Sequence, residues 1–233
     1  MGSLAGIKLS KPTFEDKVPS SGVKVKLTPF RVGDEKNLLI AAQSQSTHQM
    51  NLALKSVIAN CVTGVKVEDL EQYDLEYLFL KIRAKSVGEF STVGLNCSQC
   101  ETTNEIKIDL ETVVVDQSKQ HSDMIKIEDK LAFKMKLPDT EQLEKIDLTD
   151  PESVMDVIVL SVETVYTGEE SIEVGPSDRE ELKQLIESMT STQFQKFQDY
   201  FDTMPKLKKE IDFVCGSCGH ENHVTLEGLA SFF

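Results

Sequence analysis

Two Cys-x-x-Cys pairs, Cys97-Ser-Gln-Cys100 and Cys215-Gly-Ser-Cys218, constrain this chain more than any other feature. Between them lie 114 residues, so a fold that joins the pairs must bring the middle of the chain to its end. Two residues between cysteines let a tight turn aim both sulfurs at one ion, with backbone amides free to donate to the thiolates. Two such turns supply the four ligands of a tetrahedral site, at about 2.3 Å per Zn–S bond. The sequence after each pair repeats: Cys100-Glu-Thr-Thr-Asn104-Glu-Ile106-Lys-Ile108 against Cys218-Gly-His-Glu-Asn222-His-Val224-Thr-Leu226. Asparagine stands four residues beyond the second cysteine in both, and the apolar alternation that follows suits a strand. Strand-like stretches also precede the pairs, Phe90 to Leu95 and Ile211 to Val214. Strand, cysteine turn, strand, twice over, is the plan of a zinc ribbon, here split into halves at about 90–110 and 211–227. The expected ligands of one structural zinc ion are Cys97, Cys100, Cys215 and Cys218.

Other uses of these cysteines fit less well. Met1 to Leu27 carries scattered lysines, Pro12 and Pro19 and no apolar block, which is unlike a secretory signal. No stretch approaches the roughly 18–20 apolar residues needed to cross a bilayer. The chain is therefore expected to be soluble and not exported, a setting in which paired cysteines read as metal or redox sites and not as disulfides. A thioredoxin-like motif needs one pair at a helix N-terminus, whereas both pairs here lead into strand-like sequence. Catalytic zinc keeps an open position, usually with His or carboxylate ligands. His220 and His223 stand near the second pair, but four thiolates already complete a tetrahedron, so both are read as surface residues. Cys61 continues the apolar face of a helix and reads as a core thiol.

The rest of the chain predicts an α+β fold: a helical body with short antiparallel sheets, and a split zinc ribbon joining the middle and the end of the chain. Residues 1–22, rich in Ser, Lys, Pro and Gly, read as a flexible N-terminal arm, and 23–233 as a single domain. Val23, Val25 and Leu27 suggest a strand; Asp34 is placed to cap a short helix through Ile40, and Thr47 to start a longer one. In the longer helix Met50, Leu54, Val57, Ile58 and Cys61 share one face. Val67 to Lys85 is apolar on two faces, Leu70/Tyr73/Tyr77/Leu80 and Leu75/Leu78/Phe79/Ile82, which marks a helix sandwiched between neighbours. Arg83 on that helix fits either an internal ion pair or a snorkelling surface cation. Met124 to Leu137 alternates around a turn at Glu128 to Lys130. Asp150-Pro151 reads as the start of a helix running to about Thr164 with a face of Val154, Val157, Ile158 and Val165. Ser177 to Glu180 and Thr190 to Gln193 match capping boxes of two more helices. The last carries Phe194, Phe197, Tyr200 and Phe201, a stripe expected in the core; if exposed, it would be a partner-binding face.

The net charge of −14 opposes general nucleic-acid binding, which relies on Lys and Arg to displace counterions. The densest basic run, Lys206 to Lys209, reads as solvated or as softening the charge of the thiolates. No Gly-rich phosphate loop, nucleophile elbow or HExxH pattern is present, so no catalytic residue is assigned and a non-enzyme is expected.

Asp74, Leu78-Phe79 and Ile82-Arg83 on one helix, then Ser86-Val-Gly88, Cys97-x-x-Cys100 and the closing Cys215-x-x-Cys218, resemble the baseplate proteins of T-even-type bacteriophages, the group that includes the hub assembly proteins. The resemblance spans about residues 24–233. It implies a contractile-tail protein that acts in building the baseplate hub, as an assembly factor or a retained component that binds other hub or tail proteins, with no catalytic residue to carry over. The structural Zn2+ read from the cysteines would fix its shape, and no small-molecule substrate is expected. Its place would be the host cytoplasm during assembly, or the baseplate of the finished virion. A zinc-ribbon nucleic-acid or transcription-associated module is the alternative, and a metal-dependent hydrolase a third.

Overall fold

A computed structural model of the chain describes residues 10–117, 121–138, 140–143, 145–146 and 153–233. In chain order its first elements are β1 (Phe14–Lys17), β2 (Lys24–Leu27), α1 (Val32–Gln43), α2 (Thr47–Cys61), β3 (Val62–Thr63) and α3 (Gln72–Ser86). There follow β4 (Phe90–Asn96), β5 (Thr103–Asp109), β6 (Val114–Asp116), β7 (Met124–Glu128), β8 (Leu131–Met135), α4 (Thr140–Leu143) and α5 (Ser153–Ser161). The last are β9 (Val162–Thr167), β10 (Glu170–Glu173), α6 (Arg179–Glu187), α7 (Ser191–Thr203), β11 (Lys206–Val214) and β12 (Glu221–Glu227). All recorded strand pairings are antiparallel, in the orders β1-β2-β3, β10-β9-β8-β7, β12-β11-β6 and β4-β5. The α+β expectation with short antiparallel sheets therefore describes this chain. No helix among the described residues is long and apolar enough to cross a membrane.

The chain forms two compact units. One contains Met1–Gln45, Leu52–Asp116 and Lys206–Phe233, the other Ser46–Asn51 and Gln117–Pro205. In the first, α3 lies under both cysteine-bearing hairpins. Its Leu80 and Ala84 join Val93 of β4, Ile108 of β5, Leu207, Ile211 and Phe213 of β11, Leu226 of β12 and Phe232 in one buried cluster. The two-faced apolar pattern has this cause: Leu75, Leu78, Phe79 and Ile82 are buried as well, so the helix is covered on more than one side. The helix itself is shorter than the pattern suggested. Val67–Asp69 is a single 3-10 turn, and α3 begins at Gln72, where the Asp74 carboxylate turns back to accept from the Glu71 amide at 3.0 Å. Asp34 does the same for α1, accepting from the Arg31 amide at 2.9 Å, so it sits inside the first turn and does not precede the helix.

The expected arm over residues 1–22 also needs correction, because β1 falls inside it and pairs along its length with β2. Beyond that strand, Ser20 donates its amide (2.9 Å) and hydroxyl (2.6 Å) to the Asp74 carboxylate, which is fully buried. A buried carboxylate with three donors holds the chain start to α3, and removing it orphans those donors. Asp74→Ala is expected to destabilise the protein by about 2–3 kcal/mol, read as a lower urea midpoint at unchanged slope. The buried cation of α3 is Lys81, which donates to the Glu111 carbonyl at 2.8 Å. Arg83 follows neither sequence expectation: its guanidinium donates to the carbonyls of Gly88 (3.0 Å) and Phe90 (3.2 Å) and lies over the Phe233 ring.

In the second unit, the inner face of the four-stranded sheet presents Ile125, Ile127, Phe133, Met135 and Val165 to Ile158, Leu182, Ile186, Phe197 and Tyr200 from the helices. Phe197 is fully buried and Tyr200 nearly so, which puts the aromatic stripe in the core; Phe194 and Phe201 are half-buried beside it. The hairpin at Glu128 to Lys130 and the Thr190/Gln193 capping box are as expected. Asp150 and Pro151 lie outside the described residues. The helix they were to begin stops at Ser161, and Val165 belongs to β9; Val154 is exposed. α6 follows Asp178, one residue later than a Ser177 cap would give.

Candidate metal centre

Each cysteine pair closes a hairpin. β4 and β5 pair from Phe90↔Asp109 to Asn96↔Thr103, leaving residues 97–102 as the turn; β11 and β12 pair out to Val214↔Glu221, leaving 215–220. The turns have the same hydrogen bonds. The Cys97 amide donates to Thr102 O (3.0 Å) and Glu101 N to Cys97 O (2.9 Å); the Cys215 amide donates to His220 O (2.8 Å) and Gly219 N to Cys215 O (3.0 Å). Both turns reverse through a left-handed residue after the second cysteine, Glu101 (φ 58°) in one and Gly219 (φ 75°) in the other. Glycine adopts that conformation without steric cost, whereas a residue with a Cβ does so rarely.

The fold brings the four predicted site residues together. Cys97, Cys100, Cys215 and Cys218 place all four sulfurs within 4.8 Å of one another. Sγ of Cys97 lies 3.7 Å from that of Cys218, and Sγ of Cys100 lies 3.6 Å from that of Cys215. These are contacts between hairpins, so neither half holds the cluster by itself. In each pair the first cysteine is buried and the second exposed.

The electrostatics suit a cation. Amides of Cys218 and Ser217 pull the Cys215 thiol down to about 6, against the opposing effect of burial. Burial pushes Cys97 up, but the amides of Gln99 and Cys100 and the Asn222 side chain outweigh it, and the net shift is downward. Cys218 moves the other way, to about 12: the His220 amide lowers it, but neighbouring Cys100, burial, Cys97 and Cys215 together raise it more. Four sulfurs this close cannot all carry charge unless a cation stands between them, because like charges at that distance disfavour ionisation. A divalent ion removes that conflict, and tetrahedral sulfur sets select Zn2+ or iron. The donor set thus fits the expected group.

The histidines stay outside this cluster. His223 is exposed and pairs with Asp212 across the β11–β12 ladder, which raises its pKa. His220 contributes its carbonyl, not its ring, to the turn. Lys206 and Lys208 of the basic run form ion pairs with Glu227 (2.6 Å) and Asp116 (3.5 Å). Cys61 is buried at the end of α2, and burial raises its thiol pKa.

Sequence reasoning noticed Asn104 and Asn222 but gave them no task. Each reaches across to the opposite hairpin. Asn222 Oδ1 accepts from the Ser98 amide (2.9 Å) and hydroxyl (3.0 Å), and its Nδ2 faces Cys97 Sγ at 3.6 Å. Asn104 Oδ1 accepts from the Gly216 amide (3.0 Å), and its Nδ2 faces Cys215 Sγ at 3.6 Å. The signal was the equal spacing of both asparagines from their cysteines.

Comparison with known proteins gives one family and one curated relative. The family described as "T4 bacteriophage base plate protein" matches residues 10–233. The baseplate hub assembly protein gp26 of Enterobacteria phage T4 is 22% identical over 198 residues, covering 85% of this chain and 88% of that protein. No solved structure matches.

Proposed function

Since the chain belongs to the T4 bacteriophage base plate protein family, we propose that it acts without catalysis, in building or forming the baseplate hub, by binding other baseplate or tail proteins. The observation that carries this is the family match over nearly the whole chain, joined by a curated relative named for hub assembly that aligns along most of its own length. The role of Cys97, Cys100, Cys215 and Cys218 in this proposal is to hold one Zn2+ as a split zinc ribbon. When bound, that ion supplies a cross-link between the β4–β5 and β11–β12 hairpins and no chemistry on a substrate. Four sulfur ligands leave no open position for a reacting water, which is what a catalytic zinc requires. The protein would work in the host cytoplasm during assembly and could remain in the tail baseplate.

Two measurements test this. Metal analysis with thiol counting on the native chain should give one zinc per chain, with four cysteines protected until the metal is removed. Reconstitution with the other baseplate hub and tail proteins of the same phage should capture at least one of them as a stable complex. Failure to bind any of them would sink the hub proposal. Salt-sensitive binding to DNA or RNA in place of a protein partner would favour the nucleic-acid module, which the charge of −14 opposes.

A further inference from the structure

We infer that Asn104 and Asn222 form a reciprocal latch, joining the two cysteine hairpins in the metal-free chain and thereby holding the four sulfurs in place for the metal. The second half of this inference rests on the metal-centre proposal; the first half does not.

The contacts run symmetrically across the two hairpins. From β5, Asn104 reaches the residue after the first cysteine of the other turn, Gly216, and the sulfur of that cysteine, Cys215. From β12, Asn222 reaches Ser98 and Cys97 in the same way. Each side chain also secures its own turn, through Nδ2 to Thr102 O (2.9 Å) for Asn104 and to His220 O (3.0 Å) for Asn222. A backbone amide can only donate, so the oxygen of each carboxamide must face it, and the nitrogen then faces the sulfur. Among side chains this short, only asparagine offers an acceptor and two donors at once. Aspartate would set a carboxylate oxygen against a thiolate, and serine lacks the second donor and the reach.

The arrangement separates two tasks. The Oδ1 contacts to Ser98 and Gly216 bind hairpin to hairpin across 124 and 112 residues of chain and need no ion. The Nδ2 contacts, each at 3.6 Å, fix where the first sulfur of each pair stands, Cys215 for Asn104 and Cys97 for Asn222. Such supporting contacts tune metal affinity by about 10–100-fold. Asn222 should be the stronger half. It is buried, and its oxygen takes two donors from Ser98, whereas Gly216 has no side chain to offer.

The test uses the full reduced chain, with metal stripped by a chelator, as wild type, N104A, N222A and N104D. Amide hydrogen exchange at Ser98 and Gly216 reads the latch. N222A should speed exchange at Ser98 and N104A at Gly216, in each case on the hairpin opposite the substitution. Equal rates in wild type and variants would overturn the latch. Zinc affinity, measured by chelator competition, reads the positioning. N104A and N222A should each bind about 10–100-fold more weakly. N104D keeps an acceptor for Gly216, so protection there should persist while zinc affinity drops. An N104D chain binding zinc as tightly as wild type would overturn the positioning half. Absence of zinc uptake by the wild type would defeat the metal-centre proposal and the positioning half with it, while amide exchange would still decide whether the latch exists.

Discussion

If the four sulfurs hold the proposed zinc ion, removing it, or replacing Cys215 with serine, should lower the melting temperature by about 8–16 °C. That range corresponds to about 4 kcal/mol at 2–4 °C per kcal/mol for a chain of this size. Zinc bound to a small finger contributes on the order of 10 kcal/mol to its folding, because no site exists in the unfolded peptide. Here the effect is smaller, because the hairpins also rest on a buried cluster with Leu80, Leu207 and Phe213. A cross-link between Cys97/Cys100 and Cys215/Cys218 also closes a loop of more than 100 residues, which restricts the unfolded chain provided the metal stays attached there. Cys97→Ser should act like Cys215→Ser, since each removes a buried thiol of the cluster. Cys61→Ser serves as the control for losing a cysteine away from the cluster. Calorimetry of the native, chelated and substituted chains decides the matter. A Cys215→Ser chain melting with wild type would contradict a structural metal.

Phe197→Ala should cost about 3–5 kcal/mol, the range for deleting a large buried aromatic side chain, or about 6–20 °C in melting temperature. The ring is fully buried, meets Phe133 edge-on at 5.3 Å between centroids and touches Phe194 at 6.4 Å. Its loss leaves a cavity against the inner sheet face, where Ile125, Val165 and Ile186 close the same cluster. Phe194→Ala, at a half-buried position beside it, should cost clearly less. The comparison separates core from docking face: a docking residue would lose partner binding with its melting point intact. Unchanged stability in Phe197→Ala would return the stripe to a binding role.

Local chemistry was legible wherever it repeats at short range. Two residues between cysteines, followed by alternating apolar residues, can make little else than a hairpin with two sulfurs at its tip, and β4–β5 and β11–β12 are those hairpins. The Thr190/Gln193 capping box and the Met124–Leu137 alternation were legible for the same reason, since each signal and its consequence lie within one element. Boundaries were less so. Asp34 resembles a helix cap and Asp74 a residue well inside a helix, yet both sit in the first turn and reach back, a distinction set by backbone geometry. Residues 14–17 and Ser20 look like part of an arm because their partners, β2 for the strand and the buried Asp74 for Ser20, are named only by tertiary contact.

The sequence by itself determined the thiol set and its separation along the chain, and the apolar faces of α2 and α3. Only the tertiary structure decided that the four sulfurs lie within 4.8 Å, that the chain divides into two compact units, that Lys81 and not Arg83 is the buried cation, and that each asparagine serves the opposite hairpin. Spacing along a chain fixes what one turn can do, because few backbone shapes join so few residues. Which turn meets which, across more than a hundred residues, depends on packing against α3, and no local pattern records it.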